Sequence, residues 1–80
     1  MRIFLMEDDL LVNEIIEEHL IEQGHDIKIA FNGSKAEEIL YSEVFDLLLL
    51  DVNVPDIDGF KLLKELRERE ILTPAIFITS

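Results

Sequence analysis

Three short groups of polar residues in this 80-residue chain follow directly after apolar runs. The groups are Glu7-Asp8-Asp9, Asp51 and Thr79-Ser80, and their carboxylates and the Thr79 hydroxyl could bind a cation or contact a phosphoryl group. Neighbouring carboxylates repel one another and raise each other's pKa unless a cation compensates their charge. Mg²⁺ prefers such oxygen ligands and leaves positions that phosphoryl oxygens can occupy. The acidic groups therefore predict a magnesium site.

One of these acids can also act as a nucleophile. A carboxylate beside bound Mg²⁺ can attack a phosphoryl donor and form an acyl phosphate, because the metal neutralises charge on the transferred group. We favour Asp51, because residues 45–50 before it lack the alternation of a half-exposed strand and so predict a central, doubly covered strand. The hydroxyl of Thr79 would then bond a phosphoryl oxygen.

Apolar runs rich in branched or aromatic residues alternate with longer segments of helical period. The runs are residues 3–6, 27–31, 45–50 and 75–79, and each segment between them predicts a helix. This order, β-α-β-α-β-α-β, is typical of parallel strands joined by crossover helices. The carboxyl ends of parallel strands meet at one rim of the sheet, which would bring the polar groups together.

The predicted helices have recognisable starts and apolar stripes. Asp9 is expected to cap the first helix, and Asp58 the third. Ser34 and Glu37 have the spacing of a capping box at the start of the second. The residues expected to face the core are Val12, Ile15, Ile16, His19 and Leu20 in the first helix, Ala36, Ile39 and Leu40 in the second, and Phe60, Leu62, Leu63 and Leu66 in the third, together with Phe31, Phe45 and Phe77.

Composition and charge restrict the class of protein. Acidic residues number 18 against 7 basic residues, a formal net charge of -11, so nucleic-acid backbones and anionic lipid surfaces would repel this segment. The absence of cysteine excludes disulfides, thiolate metal sites and thiol catalysis. No apolar run approaches the roughly 20 residues that a membrane-spanning helix needs. We therefore expect a cytoplasmic domain that contacts neither membrane nor nucleic acid directly.

The motifs and their order resemble the receiver domain of bacterial two-component response regulators. Four motifs between residues 2 and 80 carry the resemblance: IFLMEDD at 3–9, DLLLLD at 46–51, VNVPDIDG at 52–59 and PAIFITS at 74–80. Two positions depart from the family pattern: Val54 stands where methionine or another large side chain is usual, and Ser80 replaces the usual small residue. The resemblance implies an α/β fold, a flavodoxin-like doubly wound parallel sheet. It would be incomplete here, with four strands, three helices and strand order 2-1-3-4.

The resemblance also implies roles for the polar residues. Four magnesium ligands are implied: the side chains of Glu7, Asp8 and Asp51 and the main-chain carbonyl of Asn53. Asp51 would accept a phosphoryl group from a histidine kinase or a phosphotransfer protein. The hydroxyl of Thr79 would turn toward that group and move a neighbouring surface, while Ser80 would offer its backbone amide. Phosphorylation would then switch a partner or an output activity.

Residues 1–80 are expected to form the N-terminal two-thirds of a receiver domain. The family has a fifth strand that carries a lysine, and no residue here matches it. An open α/β sheet needs helices on both faces, so three helices should leave part of one face uncovered. We expect a homodimer to form through that uncovered face or through exchange of elements.

Other functions fit part of the pattern. A Mg²⁺-dependent phosphohydrolase with an aspartyl-phosphate intermediate would need a general acid two positions after its nucleophile. Asn53 stands there and its amide cannot titrate, which disfavours that function. A non-phosphorylated interaction module or a truncated fragment remains an alternative, because the family's lysine is unmatched. The sequence leaves open whether the domain catalyses its own phosphorylation and dephosphorylation.

Overall fold

Strands and helices alternate along the chain. The computed structural model describes residues 1–78, so the predictions for Thr79 and Ser80 lie outside the described residues. This part of the chain has four strands: β1 (Arg2–Met6), β2 (Asp26–Ala30), β3 (Leu47–Asp51) and β4 (Ala75–Ile78). Three helices connect them: α1 (Leu10–Glu22), α2 (Gly33–Leu40) and α3 (Gly59–Glu68). Within residues 1–78, no helix combines the length and apolarity that crossing a membrane requires.

The sheet is parallel and has the order β2-β1-β3-β4, which confirms the predicted order and fold class. The register places Met6 of β1 beside both Ala30 of β2 and Leu50 of β3. In parallel strands, the residues that follow such a pair emerge at the same edge of the sheet. Glu7 and Asp51 are the next residues, so they lie side by side at the carboxyl edge.

The handedness of the connections divides the helices between the two faces of the sheet. From β1 to β2 the chain moves one way along the sheet, and from β2 through β3 to β4 it moves the other way. Because such crossovers are right-handed, α1 lies on one face and α2 and α3 lie on the other. A crevice forms where the strand order reverses, here between β1 and β3.

The main core lies between the sheet and the helices α2 and α3. Phe4 and Met6 of β1 and Leu48 and Leu50 of β3 belong to it and are fully buried. Alternate side chains of a strand point to opposite faces, which explains why these two pairs share one side. The other buried members of this core are Ala30, Ala36, Ile39, Leu40, Phe45, Val54, Leu62 and Leu66.

The opposite face of the sheet is covered unevenly. Ile3 and Leu5 of β1 are buried. By contrast, Leu47 and Leu49 of β3 are half-buried, and Ile76 of β4 is 55% exposed. The helix α1 packs near β2, at the far side of the sheet from β4. Within the described residues, the β3–β4 half of this face is therefore partly open.

The first and third helices begin at the predicted capping residues. The Asp9 carboxylate accepts hydrogen bonds from the amides of Leu11 and Val12, at 2.9 and 3.2 Å. The Asp58 carboxylate accepts one from the amide of Phe60 at 2.7 Å. These amides lack partners within their own helices, so the acids satisfy them and confirm both predictions.

The capping box predicted at Ser34 is wrong. Asn32 caps α2 instead, and its Oδ1 accepts a hydrogen bond from the Lys35 amide at 2.9 Å. Ser34 lies one position inside the helix, where its amide and hydroxyl both bond to Asp56. Because Ser34 bonds to Asp56, which is distant in the sequence, the residue that caps the helix is Asn32.

Several residues predicted for the core are exposed: Ile15, His19, Phe31 and Phe60. In α1 the buried position is Asn13. The helix is therefore rotated relative to the prediction, so that Ile15 and His19 face solvent. β2 ends at Ala30, so Phe31 already lies beyond the sheet. Phe60 packs its ring against Phe77, with the ring centroids 4.4 Å apart, and keeps half of its surface exposed.

Candidate functional site

Three carboxylates meet at the carboxyl ends of β1 and β3. Glu7, Asp8 and Asp51 each place a carboxylate oxygen within 4.8 Å of the others. Glu7 and Asp51 are buried, each 4% exposed, whereas Asp8 is exposed. The cluster therefore has a buried base and an open side from which a cation can enter.

Glu7 holds its proton more tightly than a glutamate in water. Its pKa rises from 4.5 to about 7, mainly because the carboxyl is buried and next because the Asp51 carboxyl lies beside it. The Asp9 amide donates to Glu7 Oε2 at 3.2 Å, which partly lowers the pKa again. A raised pKa in a carboxylate cluster marks a shortage of positive charge, which a proton or a cation can supply.

The backbone after β3 holds the Asp51 carboxylate in place. The Asn53 amide donates a hydrogen bond to Asp51 Oδ1 at 3.0 Å. The Gly59 amide donates to the Val52 carbonyl at 3.1 Å, and a Cβ at Gly59 would overlap the main-chain oxygen of Asp51. α3 thus begins directly against the end of β3, an approach that glycine allows because it lacks a Cβ.

The loop of residues 52–58 folds back between β3 and α3. Asn53 and Asp58 form an isolated antiparallel bridge across it. Val54 is buried within the core. The fold therefore holds the loop at its base and at its middle.

Asn13 supports the β1 side of the site and was not predicted from the sequence. It is 3% exposed, and its Nδ2 donates to the Glu7 main-chain carbonyl at 2.7 Å. Its Oδ1 has no hydrogen-bond partner among residues 1–78. A polar residue on the buried side of an amphipathic helix was the available signal. Its bond to Glu7 steadies the backbone that carries that carboxylate.

Asp56 is a second residue that sequence patterns did not identify. It lies in the loop after β3, and its carboxylate accepts hydrogen bonds from the amides of Gly33 and Ser34. These partners lie 23 and 22 residues away in the chain. No local pattern relates residues at such a separation, so only the folded chain reveals this contact.

An open groove of about 700 Å³ runs beside the carboxylate cluster. Asp8 belongs to both the cluster and the groove lining, so the open side of the cluster faces the groove. Asn53, Asp56 and Lys61 also line it, and Lys61 brings a positive charge to this acidic surface. A phosphoryl donor can therefore approach the carboxylates from this side.

The donor set fits a hard divalent cation. Glu7, Asp8 and Asp51 offer only oxygen ligands, which suit Mg²⁺, and a bound cation would offset the cost of burying the Glu7 charge, which raises the pKa of that carboxyl. The main-chain amide of Asn53 bonds to Asp51, and the metal-binding role of the Asn53 main-chain carbonyl stays a prediction. The roles predicted for Thr79 and Ser80 concern residues outside the described part of the chain.

Comparison with known sequences relates the chain to one family. The family model of the response regulator receiver domain matches residues 3–80. The transcriptional regulatory protein CrdR of Helicobacter pylori is 45% identical over 80 residues, which cover 99% of this chain and 38% of CrdR. The response regulator protein PmrA of Pseudomonas aeruginosa is 39% identical, with coverage of 100% and 36%. The chain thus spans just over a third of the length of these relatives.

Comparison with solved structures leads to the same family. The response regulator protein TrrA of Thermotoga maritima, solved in complex with Mg²⁺-BeF, is 32% identical to this chain and gives a TM-score of 0.91. The match covers 98% of this chain and 68% of TrrA. The parallel sheet and its three helices therefore correspond to most of a receiver structure.

Proposed function

Because this chain belongs to the response regulator receiver domain family, we propose that Asp51 accepts a phosphoryl group. Phosphorylation on an aspartate is the general property of these domains. One observation carries the choice of residue: buried Asp51 shares a cluster with Glu7 and Asp8, with carboxylate oxygens within 4.8 Å of one another. The proposed donor is a histidine kinase or a phosphotransfer protein.

In the proposed reaction, a carboxylate oxygen of Asp51 attacks the phosphorus atom of the donor. A new O–P bond forms while the bond from phosphorus to the donor's leaving atom breaks, and that atom keeps the electron pair. In a phosphohistidine donor the leaving atom is an imidazole nitrogen, which then takes a proton from water. The attacking carboxylate must be ionised, and a bound cation would offset its charge together with those of Glu7 and Asp8.

The proposed cofactor is Mg²⁺. Its ligands would be the carboxylates of Glu7, Asp8 and Asp51 and the main-chain carbonyl of Asn53. When bound, it would neutralise charge on the phosphoryl oxygens during transfer. Glu7 would release its proton on binding, since a carboxylate must be ionised to act as a metal ligand. The all-oxygen donor set and the TrrA complex with Mg²⁺-BeF support this proposal.

The proposed consequence of phosphorylation is a switch in partner binding or output activity. We assign the hydroxyl of Thr79 and the backbone amide of Ser80 to contacts with the phosphoryl group. CrdR is described as a transcriptional regulatory protein and is matched over 38% of its length. A net charge of -11 disfavours DNA binding by these 80 residues, so we assign any DNA contact to other regions of a cytoplasmic regulator.

A phosphohydrolase is less favoured, because Asn53 has no titratable proton to give a leaving group. Its main-chain amide donates to Asp51 Oδ1 at 3.0 Å. A non-phosphorylated interaction module would need neither a metal nor a nucleophile.

Treatment of the full-length gene product with a small acyl phosphate and Mg²⁺ tests the phosphoacceptor. We expect intact-mass spectrometry to show one added phosphoryl group, and Asp51→Asn to abolish it because an amide is a poor nucleophile. Asp26→Asn, at an exposed aspartate that begins β2, is the matched control and should leave the modification unchanged. Modification that persists in Asp51→Asn would contradict the assignment, and an unmodified wild type would favour the interaction module.

Calorimetric titration with Mg²⁺ tests the metal site. Asp51→Asn should weaken Mg²⁺ binding by about tenfold or more, because it replaces an ionised ligand in the cluster. Asp26→Asn should bind Mg²⁺ as the wild type does. Equal affinities in the wild type and Asp51→Asn would place the metal elsewhere.

The partly open β3–β4 half of the sheet supports a second proposal, a homodimer through that face. Ile76 is 55% exposed and is paired in register with half-buried Leu49. Removing such apolar surface from water contributes about 25 cal/mol per Å². Two copies related by a two-fold axis would bury the same patch on each chain. Exchange of elements is the alternative route to the same dimer.

A further inference from the structure

The Asp56 carboxylate connects the loop after β3 to the start of α2, two segments that no backbone hydrogen bond of the sheet or of a helix links. Its Oδ1 accepts a hydrogen bond from the Gly33 amide at 2.6 Å. Its Oδ2 accepts two more, from the amide and the hydroxyl of Ser34, both at 3.0 Å. Asp56 belongs to the loop after β3, whereas Gly33 and Ser34 begin α2. One side chain thus attaches the loop to the start of a helix.

The chemistry of a helix start explains why an acid is suited to this place. The first amides of a helix have no partners within the helix and carry the positive end of its dipole. Asn32 satisfies the Lys35 amide, and Asp56 satisfies the two amides before it. The bonds from Gly33 and Ser34 lower the pKa of Asp56. The acid and the helix therefore stabilise each other although they are far apart in sequence.

Close packing reinforces this attachment. Gly33 is buried, and a Cβ at this position would overlap the Ile57 side chain. Ile57 is half-buried and packs against the main core. The loop is therefore held against α2 by three hydrogen bonds to Asp56 and by the contact between Ile57 and Gly33.

The same loop contains Asn53, the proposed source of a magnesium ligand. Its base is held by the bridge between Asn53 and Asp58 and by the bond from Gly59 to Val52. Its outer part, residues 55–57, lies beyond these base contacts. Asp56, together with Ile57, ties this outer part to α2, so the loop that carries Asn53 is held at both its base and its outer part.

We propose that Asp56 is a positioning residue that fixes the loop of residues 52–58 against α2 and thereby sets the affinity of the site for Mg²⁺. The part that concerns Mg²⁺ rests on the proposed function. By linkage, Mg²⁺ binding in turn stabilises the start of α2, because the two events share one loop. Asp56 touches neither the donor nor the metal in this role.

Variants at both ends of the contact separate positioning from simple charge. Asp56→Ala removes the charge and every hydrogen bond, whereas Asp56→Asn removes the charge but keeps an oxygen that can accept from the Gly33 amide. Gly33→Ala forces Ile57 and the loop to move while leaving the charge unchanged. Asp26→Ala removes an exposed acid elsewhere and is the control for net charge.

Calorimetric Mg²⁺ titration of these proteins gives the main measurement. We expect Asp56→Ala to bind Mg²⁺ about tenfold more weakly than Asp26→Ala, as for other groups that orient a metal ligand. Gly33→Ala should also bind more weakly than Asp26→Ala. The affinity of Asp56→Asn should lie between those of Asp56→Ala and Asp26→Ala. High salt should preserve these differences, since screening reduces charge effects and not geometric ones. Equal losses in Asp56→Ala and Asp56→Asn that disappear in high salt, or an unchanged Gly33→Ala, would overturn the proposal.

Amide hydrogen exchange keeps the test independent of the metal. If the wild type binds no Mg²⁺, the proposed function fails, and the positioning role is judged from the Asn53 and Gly59 amides. Their exchange should be faster in Asp56→Ala than in Asp26→Ala, while thermal unfolding shows that both variants are folded. Equal exchange rates at these two amides would overturn the positioning role.

Discussion

The carboxyl groups of Glu7 and Asp51 lie within 4.8 Å of each other at the ends of two neighbouring parallel strands. Both residues are 4% exposed, and burial, followed by the neighbouring Asp51 carboxyl, raises the pKa of Glu7 to about 7. The pair can be stabilised by a proton or by a cation, and the two must compete. This competition makes the site sensitive to pH near neutrality.

Glu7→Gln should stabilise the metal-free protein at high pH. The folded protein holds the Glu7 proton more tightly than the unfolded chain, so the stability that this proton supplies is complete below pH 4.5 and is lost as the pH rises through about 7. The glutamine amide is neutral throughout, so its advantage should be small near pH 5, grow as the pH rises to about 7 and stay constant above that. Urea unfolding in a chelator should show a gain on the order of 2 kcal/mol at pH 8. An equal effect at both pH values would contradict this account.

Mg²⁺ should bind more tightly as the pH rises from about 6 to 8, because the Glu7 proton competes with the metal. Below the pKa of about 7, each pH unit should weaken binding by up to about tenfold. Calorimetry across this range measures the effect. The Glu7→Gln variant should bind Mg²⁺ more weakly than the wild type at high pH, and its affinity should depend little on pH. A wild-type affinity that stays constant from pH 6 to 8 would rule out proton competition.

Gly59→Ala should destabilise the protein by about 1–3 kcal/mol, as overpacking in a tight contact does. The new Cβ would overlap the main-chain oxygen of Asp51 and force α3 away from β3. Alanine is otherwise better than glycine in a helix, so a loss of stability would report the contact itself. Thermal unfolding should show the loss, with exposed Lys64→Ala on the same helix as an unaffected control. A more stable Gly59→Ala protein would show that the contact is loose.

Ile76→Lys should prevent the proposed homodimer, because it places a charge on the partly open sheet face. Ile76 is 55% exposed in the single chain, so the substitution should leave the fold intact. Val44→Lys, at a position that is 82% exposed and precedes β3, is the matched control and should still associate. Light scattering over a range of concentrations decides the point, and a wild type that stays monomeric would exclude self-association.

Some features of the site could be predicted because they depend on neighbours in the sequence. The apolar run before Asp51 and the acids after Met6 mark strand ends, since the period of a strand is read over a few residues. The caps at Asp9 and Asp58 follow from the bonds that short acids make to the next two or three amides. The capping box predicted at Ser34 is wrong because its partner is not local: the Ser34 amide and hydroxyl both donate to Asp56, which is distant in the sequence.

The sequence by itself determined the alternation of strands and helices, the acids at the strand ends and the resemblance to the receiver family. Tertiary structure decided the register that sets Glu7 beside Asp51, the bond from Asn13 to the Glu7 carbonyl and the attachment of Asp56 to α2. Local order follows from short periodicities and caps, whereas these contacts join residues brought together only when the sheet forms. Burial then changes their chemistry, as the raised pKa of Glu7 shows, because the cost of a buried charge depends on the groups that surround it in the folded chain.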